Sequence, residues 1–364
     1  MKWKPLLCAS VLAAAVLLSR QPAIADDLTI SPAGEVELLP PALMAPSAKE
    51  TVPADKFKKA PPWTIGVSWP GLGNTWIVQT IAEMKYWARH DPNIKQFRLV
   101  EADWKPAKQV ADIEDLLAQK VDALIIAPIA VPLVKPEIKK AVAAGIPVIV
   151  FSPGGTFTDA TVSVYGGGEA FGRTGGEFLK KKLHGKGVIW AFRGVAGVGE
   201  DTARYNGLLE AIKGTDIKIG AEVYGNWNYA KGKQLCENLV ASGKPVDGIW
   251  FSGAEMTRAC FDVFKQLGKP LVPMTGEGNN GFLRAWKKAS ADSVAPIFAP
   301  GLTPAMLRAA IALLDGKKMY RSYYSDPKPI TAANFNKYYR PDLSDNVWFP
   351  STLPEKVLEK MFKK

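Results

Sequence analysis

Ala123-Leu124-Ile125-Ile126-Ala127 and, further on, Pro147-Val148-Ile149-Val150-Phe151 are short, unbroken apolar runs. Between them Leu133–Ala144 reads as a helix stopped by Gly145. A strand that is apolar at every position has both faces covered, which is the habit of a parallel sheet with helices on either side. Working outward, the same alternation holds. Thr64–Ser68 (TIGVS) reads as a strand, Trp76–His90 as a helix and Phe97–Asp103 as a strand. Pro106–Gln119 carries Val110, Ile113, Leu116 and Leu117 at helical spacing.

A second series begins after the glycine-rich Tyr165-Gly166-Gly167-Gly168. Helices are predicted over Phe171–Leu183, Thr202–Ile212, Ala230–Ser242 and Glu255–Leu267. Strands are predicted over Gly187–Phe192, Ile217–Tyr224, Gly248–Phe251 and Leu271–Met274, with late helices at Asn280–Lys288 and Thr303–Asp315. Two βα series of similar size give an α/β fold of two doubly wound parallel-sheet lobes. Ligands of such sheets bind outside the carboxyl ends of the strands. The informative stretches are therefore Ser68–Trp76, Ser152–Gly155, Gly194–Arg204, Tyr224–Tyr229, Ser252–Glu255 and Thr275–Asn280.

The first 25 residues read as a signal peptide. Lys2 and Lys4 precede a short apolar segment, and Ala23-Ile24-Ala25 is a small-x-small cleavage pattern. We expect export to the periplasm. Cleavage removes Lys2, Lys4 and Arg20 and no acids, so the net charge falls from +11 to +8. The lysines are dispersed, and no basic block with interleaved aromatics points to nucleic acid. Residues 26–60, rich in Pro, Ala and Glu, read as an N-terminal arm, partly disordered. Cys236 and Cys260 lie in consecutive predicted helices that pack side by side. A disulfide between them is geometrically possible, and two buried free thiols are the alternative.

With two histidines and three cysteines, a multi-His metal site or zinc ribbon is all but excluded. Gly194–Gly199 has its glycines in the reverse of the dinucleotide spacing, and no phosphate-loop, nucleophile-elbow or metalloprotease pattern occurs. We expect no catalysis, metal or cofactor. The positive signal is aromatic. Trp69, Trp76 and Trp227 lie at strand ends, where rings cover the apolar faces of a sugar. Asn74, Arg204, Asn228, Glu277 and Asn279 supply planar hydrogen-bonding groups. A loop Trp that only packs the lobes, or an Asn that only shapes a turn, is the alternative at each position.

From Thr64 to about Met319 the chain resembles the ribose-type periplasmic sugar-binding proteins of ABC importers, the type I periplasmic binding proteins. The resemblance is carried by TIGVS at 64–68 with Asn74-Thr75-Trp76, ALIIAPIA at 123–130 and AVAAGIPVIVFS at 141–152. Arg204-Tyr205-Asn206-Gly207 and Thr275-Gly276-Glu277-Gly278 complete it. It implies lobes joined by a three-strand hinge around an interlobe ligand cleft. With the late helix returning, the first lobe is 61–165 plus 300–326, and the second, with the tail, is 166–299 plus 327–364. It also implies ligand roles for Asn74, Trp76, Arg204 and Trp227, with Glu277 in place of an aspartate. Ser68, Trp69, Ser152, Asn228 and Asn279 complete the expected ligand-binding set. Three polar positions of the family are lost, at Ser152-Pro153, Gly253-Ala254 and Ala299-Pro300, so the pocket is expected to be roomier and less polar than a ribose pocket. The resemblance implies a monomer that hands a sugar or polyol to the membrane permease of an ABC importer. The alternative is a ligand-sensing partner of a membrane histidine kinase or chemoreceptor, which the arm at 26–60 slightly favours.

Overall fold

The two apolar runs pair in parallel inside a seven-stranded sheet whose order is Ala45–Pro46, Ser322–Tyr324, Val162–Tyr165, Val148–Ser152, Ala123–Ile126, Trp63–Trp69 and Ile94–Glu101. The structure, a computed structural model, describes residues 29–30, 36–152 and 159–364. The expected signal peptide and Pro153 lie outside the described residues, as does the side chain of Ser152. All four residues of Ala123–Ile126 are buried, as an apolar strand with helices on both faces must be.

A second, five-stranded sheet has the order Asp216–Tyr224, Lys186–Arg193, Gly248–Phe251, Met274–Thr275 and Ser293–Val294, all parallel. Counted within its own series, each sheet runs second, first, third, fourth, fifth. Each therefore has its topological switch between its first and third strands. Among the described residues the chain passes between the sheets at 166–167, 295–301 and 325–330. Ser325 donates its backbone N–H to Tyr165 O at 3.0 Å, and Ala295 and Ile330 exchange backbone bonds of 2.9 and 2.8 Å. Gly167 makes the first passage with φ +80°, and a Cβ there would lie 1.9 Å from Ser325 O. Only glycine fits that turn.

The returning helix, Leu302–Leu314, is buried along most of its length in the core of the first sheet. The tail packs Ile330, Leu343, Val347, Phe349, Leu353 and Leu358 into the core of the second. It also reaches back. Trp348 exchanges bonds of 2.8 and 3.0 Å with Gln79 on the helix Thr75–His90. Ser351 and Thr352 place three donors on the buried Glu83 of the same helix.

The described part of the arm differs from expectation. Residues 36–60 are not disordered: Val36, Leu38, Leu39, Met44, Val52 and Phe57 are buried in the first core. Thr51–Val52 pairs with Met319–Tyr320, and Ala45–Pro46 with Ser322–Tyr324. Composition hid this because the segment's apolar residues follow no helix or strand period. The strands Val162–Tyr165 and Ser322–Tyr324 are further elements beyond those the sequence predicts. Cys236 and Cys260 form a disulfide with Cα atoms 5.6 Å apart, which closes the question the sequence left open.

Candidate functional site

The carboxyl ends of the two sheets face each other across a cleft with about 800 Å³ of empty space, open mouth included. Its first wall comes from the switch point of the first sheet. Trp69 and Pro70 end the first strand, and Ala127 and Pro128 end the third. The helix Thr75–His90 begins here, capped by Asn74, whose Oδ1 accepts from Ile77 N at 2.9 Å. Trp76 donates to Phe298 O at 2.8 Å, and the two rings are 5.0 Å apart.

The opposite wall is charged. Glu200, Arg204, Glu255 and Glu277 line it, with Trp227. Arg204 reaches this position through an unusually close pair of helices, Gly168–Lys182 and Gly199–Ile212. A Cβ on Gly207 would lie 2.0 Å from Glu169 O, and one on Gly172 would lie 1.7 Å from Arg204 O. The spacing of Arg204 and Gly207 thus has a physical reason: glycine one turn on lets the backbones touch, and the arginine is carried to the sheet end. Its guanidinium lies 3.9 Å from the Phe171 ring and 4.4 Å from the Phe298 ring. It donates to Glu200 at 3.0 Å and to Ser252 O at 2.5 Å, with Glu277 at 3.5 Å. These donors are engaged within the protein, so Arg204 braces the wall as well as lining it. Burial pushes the Glu277 carboxyl up to about 7, against the pull of Arg204. Glu200 is raised by the same cause. Across the cleft mouth Glu255 accepts from the backbone N–H and the hydroxyl of Thr75, which joins the two walls.

The two lobes present matched tryptophans. Trp104 and Trp227 each follow the second strand of their sheet, and each stands second in a pair of left-handed residues, Asp103-Trp104 and Asn226-Trp227. Bulky residues rarely adopt positive φ, and such strain gathers at functional sites. Each ring lies over a glycine that follows the first strand. A Cβ on Gly71 would come within 2.4 Å of Trp104, and one on Gly194 within 2.1 Å of Trp227. Both indoles are anchored by their N–H, Trp104 to Leu72 O at 3.2 Å and Trp227 to Ser252 O at 2.9 Å.

Of the residues singled out in the sequence, Trp69, Asn74, Trp76, Arg204, Trp227 and Glu277 are brought to the cleft. Three others are placed elsewhere. Ser68 is fully buried beside Gln109, because it precedes Trp69 on the strand and faces the other side of the sheet. Asn228 caps the helix Tyr229–Ala241. Asn279 caps Asn280–Ala289 and holds the tail through Asp345 O and Val347 O. All three asparagines cap helices, which is the turn-shaping role weighed against ligand binding, and Asn74 alone also reaches the cleft.

The sequence reading missed Trp104, Phe151, Glu200, Glu255, Phe298 and Trp348 as lining residues. Glu200 and Glu255 lay inside the strand-end windows. Aligning the two series would have paired Trp104 with Trp227. Nothing in the sequence marks Trp348, which arrives from the tail.

Among the described residues, two buried polar side-chain atoms of this lining have no partner: Trp69 Nε1 on the first wall and Glu200 Oε2 on the second. One is a donor and the other an acceptor.

Known proteins resemble this chain in sequence and in fold. The chain is 27% identical over 193 residues to the ribose import binding protein of Haemophilus influenzae, an alignment covering 52% of this chain and 66% of that one. It is 26% identical over 184 residues to the xylitol-binding protein of Mycolicibacterium smegmatis, covering 49% and 53%. The chain thus spans about half to two thirds of these relatives. An ABC transporter solute binding protein from Thermobispora bispora superposes with a TM-score of 0.71 at 24% identity, over 82% of this chain and 94% of that one. The profile of the family described as periplasmic binding protein domain matches residues 65–318. With that match over most of its length, two lobes of like strand order and a cleft at their switch points, the chain belongs to the periplasmic binding protein family.

Proposed function

We propose that this chain is an exported solute-binding protein that captures a sugar, a polyol or a close derivative between its lobes and delivers it to the permease of an ABC importer. The observation that carries this reading is the pair of unpartnered buried atoms, Trp69 Nε1 and Glu200 Oε2, one on each wall of an aromatic cleft. A buried polar atom without a partner costs about 1–3 kcal/mol. A ligand with hydroxyls between aromatic rings relieves both at once, and only while the lobes are closed on it. Ligand therefore favours the closed form by its differential affinity. The relatives' ligands, ribose and xylitol, are of this kind. Nothing in the role requires a chemical step.

The arm slightly favoured sensing in the sequence. Its described part serves to strap the first lobe, which removes that reason. The test is a thermal-shift screen of pentoses, hexoses, polyols and their amino derivatives on protein freed of ligand by unfolding and refolding, followed by calorimetry. At least one member should bind with one-to-one stoichiometry. A screen in which none of them shifts the melting temperature would refute the reading.

A further inference from the structure

The charges lining the cleft do not balance. Among the described residues, Glu200, Glu255 and Glu277 face it with a single cation, Arg204. Asp201, behind the wall, is matched by Arg193 at 2.7 Å. The described residues of the first wall contribute no charge: they are Trp69, Pro70, Asn74, Trp76, Ile77, Trp104, Ala127, Pro128 and Phe151. With all three carboxylates ionised, the cavity keeps an excess of two negative charges in a site of low polarity. Burial raises the Glu277 carboxyl and the neighbouring Glu200 adds to the rise, so a cation placed here would favour its ionised form.

A neutral polyol supplies hydrogen bonds to these carboxylates and leaves the excess charge in place. A protonated amine supplies donors and the missing charge together. Tryptophan faces also attract cations, more strongly when water is excluded. Trp69 Nε1, a donor without a partner, calls for an acceptor on the same ligand, which a hydroxyl oxygen provides. Resting on the solute-binding reading above, we infer that the ligand is a hydroxylated molecule bearing a protonated amine, an amino sugar or amino polyol, with its ammonium toward Glu200 and Glu255 and its hydroxyls toward Trp69.

The test is calorimetry at pH 7 on the ligand-free protein with matched pairs: glucose and glucosamine, galactose and galactosamine, ribitol and 1-amino-1-deoxyribitol, sorbitol and glucamine. N-acetylglucosamine serves as the charge-removed control. In at least one pair the amine should bind about tenfold or more tighter than its parent, with acetylation removing the gain. Glu255→Gln and, separately, Glu200→Gln should narrow that preference while the parent's affinity changes less. Two variants are used because Glu200 also pairs with Arg204. If parents bind as tightly as their amines or tighter, the inference fails and the solute-binding reading stands. If no parent and no amine binds, both fail.

Discussion

The two walls of the cleft are built from sheets of the same strand order, and each seats a strained tryptophan over a glycine, yet they are held together by different forces. The first wall, in its described residues, is aromatic and uncharged, and its parts are fixed by packing, a helix cap and indole hydrogen bonds. The second is a network in which Arg204 lies between Phe171 and Phe298 and engages Glu200, Glu277 and Ser252 O. A related topology thus gives one face that shapes a ligand and one that answers its charge. Substitutions should separate accordingly: on the second wall they should act first on stability, and on the first wall mainly on affinity.

The largest effect is expected at Arg204. Truncation to Ala leaves Glu200 and Glu277 buried without their cation, and removing one partner of a buried pair typically costs about 3–5 kcal/mol. Arg204→Ala should therefore lower the urea midpoint of the ligand-free protein sharply. Were the midpoint to stay put, the contrast between the walls would be lost and Arg204 would be a ligand contact only.

The disulfide comes next. It ties Tyr229–Ala241 to Ala254–Gln266, the helix whose first turn carries Glu255 into the cleft. A bridge closing a loop of this size contributes about 3 kcal/mol. The pair Cys236→Ser with Cys260→Ser should lose about that much, and thiol titration of the denatured, unreduced wild type should find neither of these thiols free.

How much of this was legible in the sequence depends on distance along the chain. The strands and helices of both series could be read because apolar periodicity is local. Predicted ends were off by a few residues where a helix starts before its first apolar residue, as at Gly199. The cleft's strand-end residues followed from topology. Trp348 and Phe298 could not be read, because a tail and a lobe crossing bring them in, and neither leaves a periodic signal. Asn228 and Asn279 sit away from the cleft for a chemical reason: an amide that suits a sugar hydroxyl also suits the first N–H groups of a helix, and at these two positions the helix is served first.

The third effect is pH dependence. The folded Glu277 carboxyl titrates near 7, above its ordinary 4.5. The folded state then holds a proton that the unfolded chain releases, so the group's contribution is full below about pH 4.5 and is lost as pH rises through 7. Glu83, Glu200 and Asp201 are raised by burial too and act with the same sign. The ligand-free wild type should lose stability between pH 5 and 8. Relative to Glu277→Gln, the loss attributable to this group should be about 1–3 kcal/mol. Parallel stability curves for the two proteins would show that Glu277 stays ionised throughout, and the second wall would then carry its full charge.

The smallest effect is the sharpest test of the first wall. Trp69 is buried, and its indole N–H has no partner. Trp69→Phe removes that donor and keeps an aromatic ring. In the ligand-free protein two effects oppose each other: the lost volume destabilises, while deletion of an unpaired buried donor relieves a penalty of about 1–3 kcal/mol. Net stability should change by less than about 1 kcal/mol. In the complex the ligand's acceptor loses its partner, and a neutral hydrogen bond of about 1 kcal/mol corresponds to five- to tenfold in affinity. Calorimetry and urea unfolding on this one variant separate the cases. Weakened binding with unchanged stability is what a ligand-facing wall gives. Loss of stability without loss of affinity would make Trp69 a packing residue, and the first wall would then owe its shape to the fold rather than to the ligand.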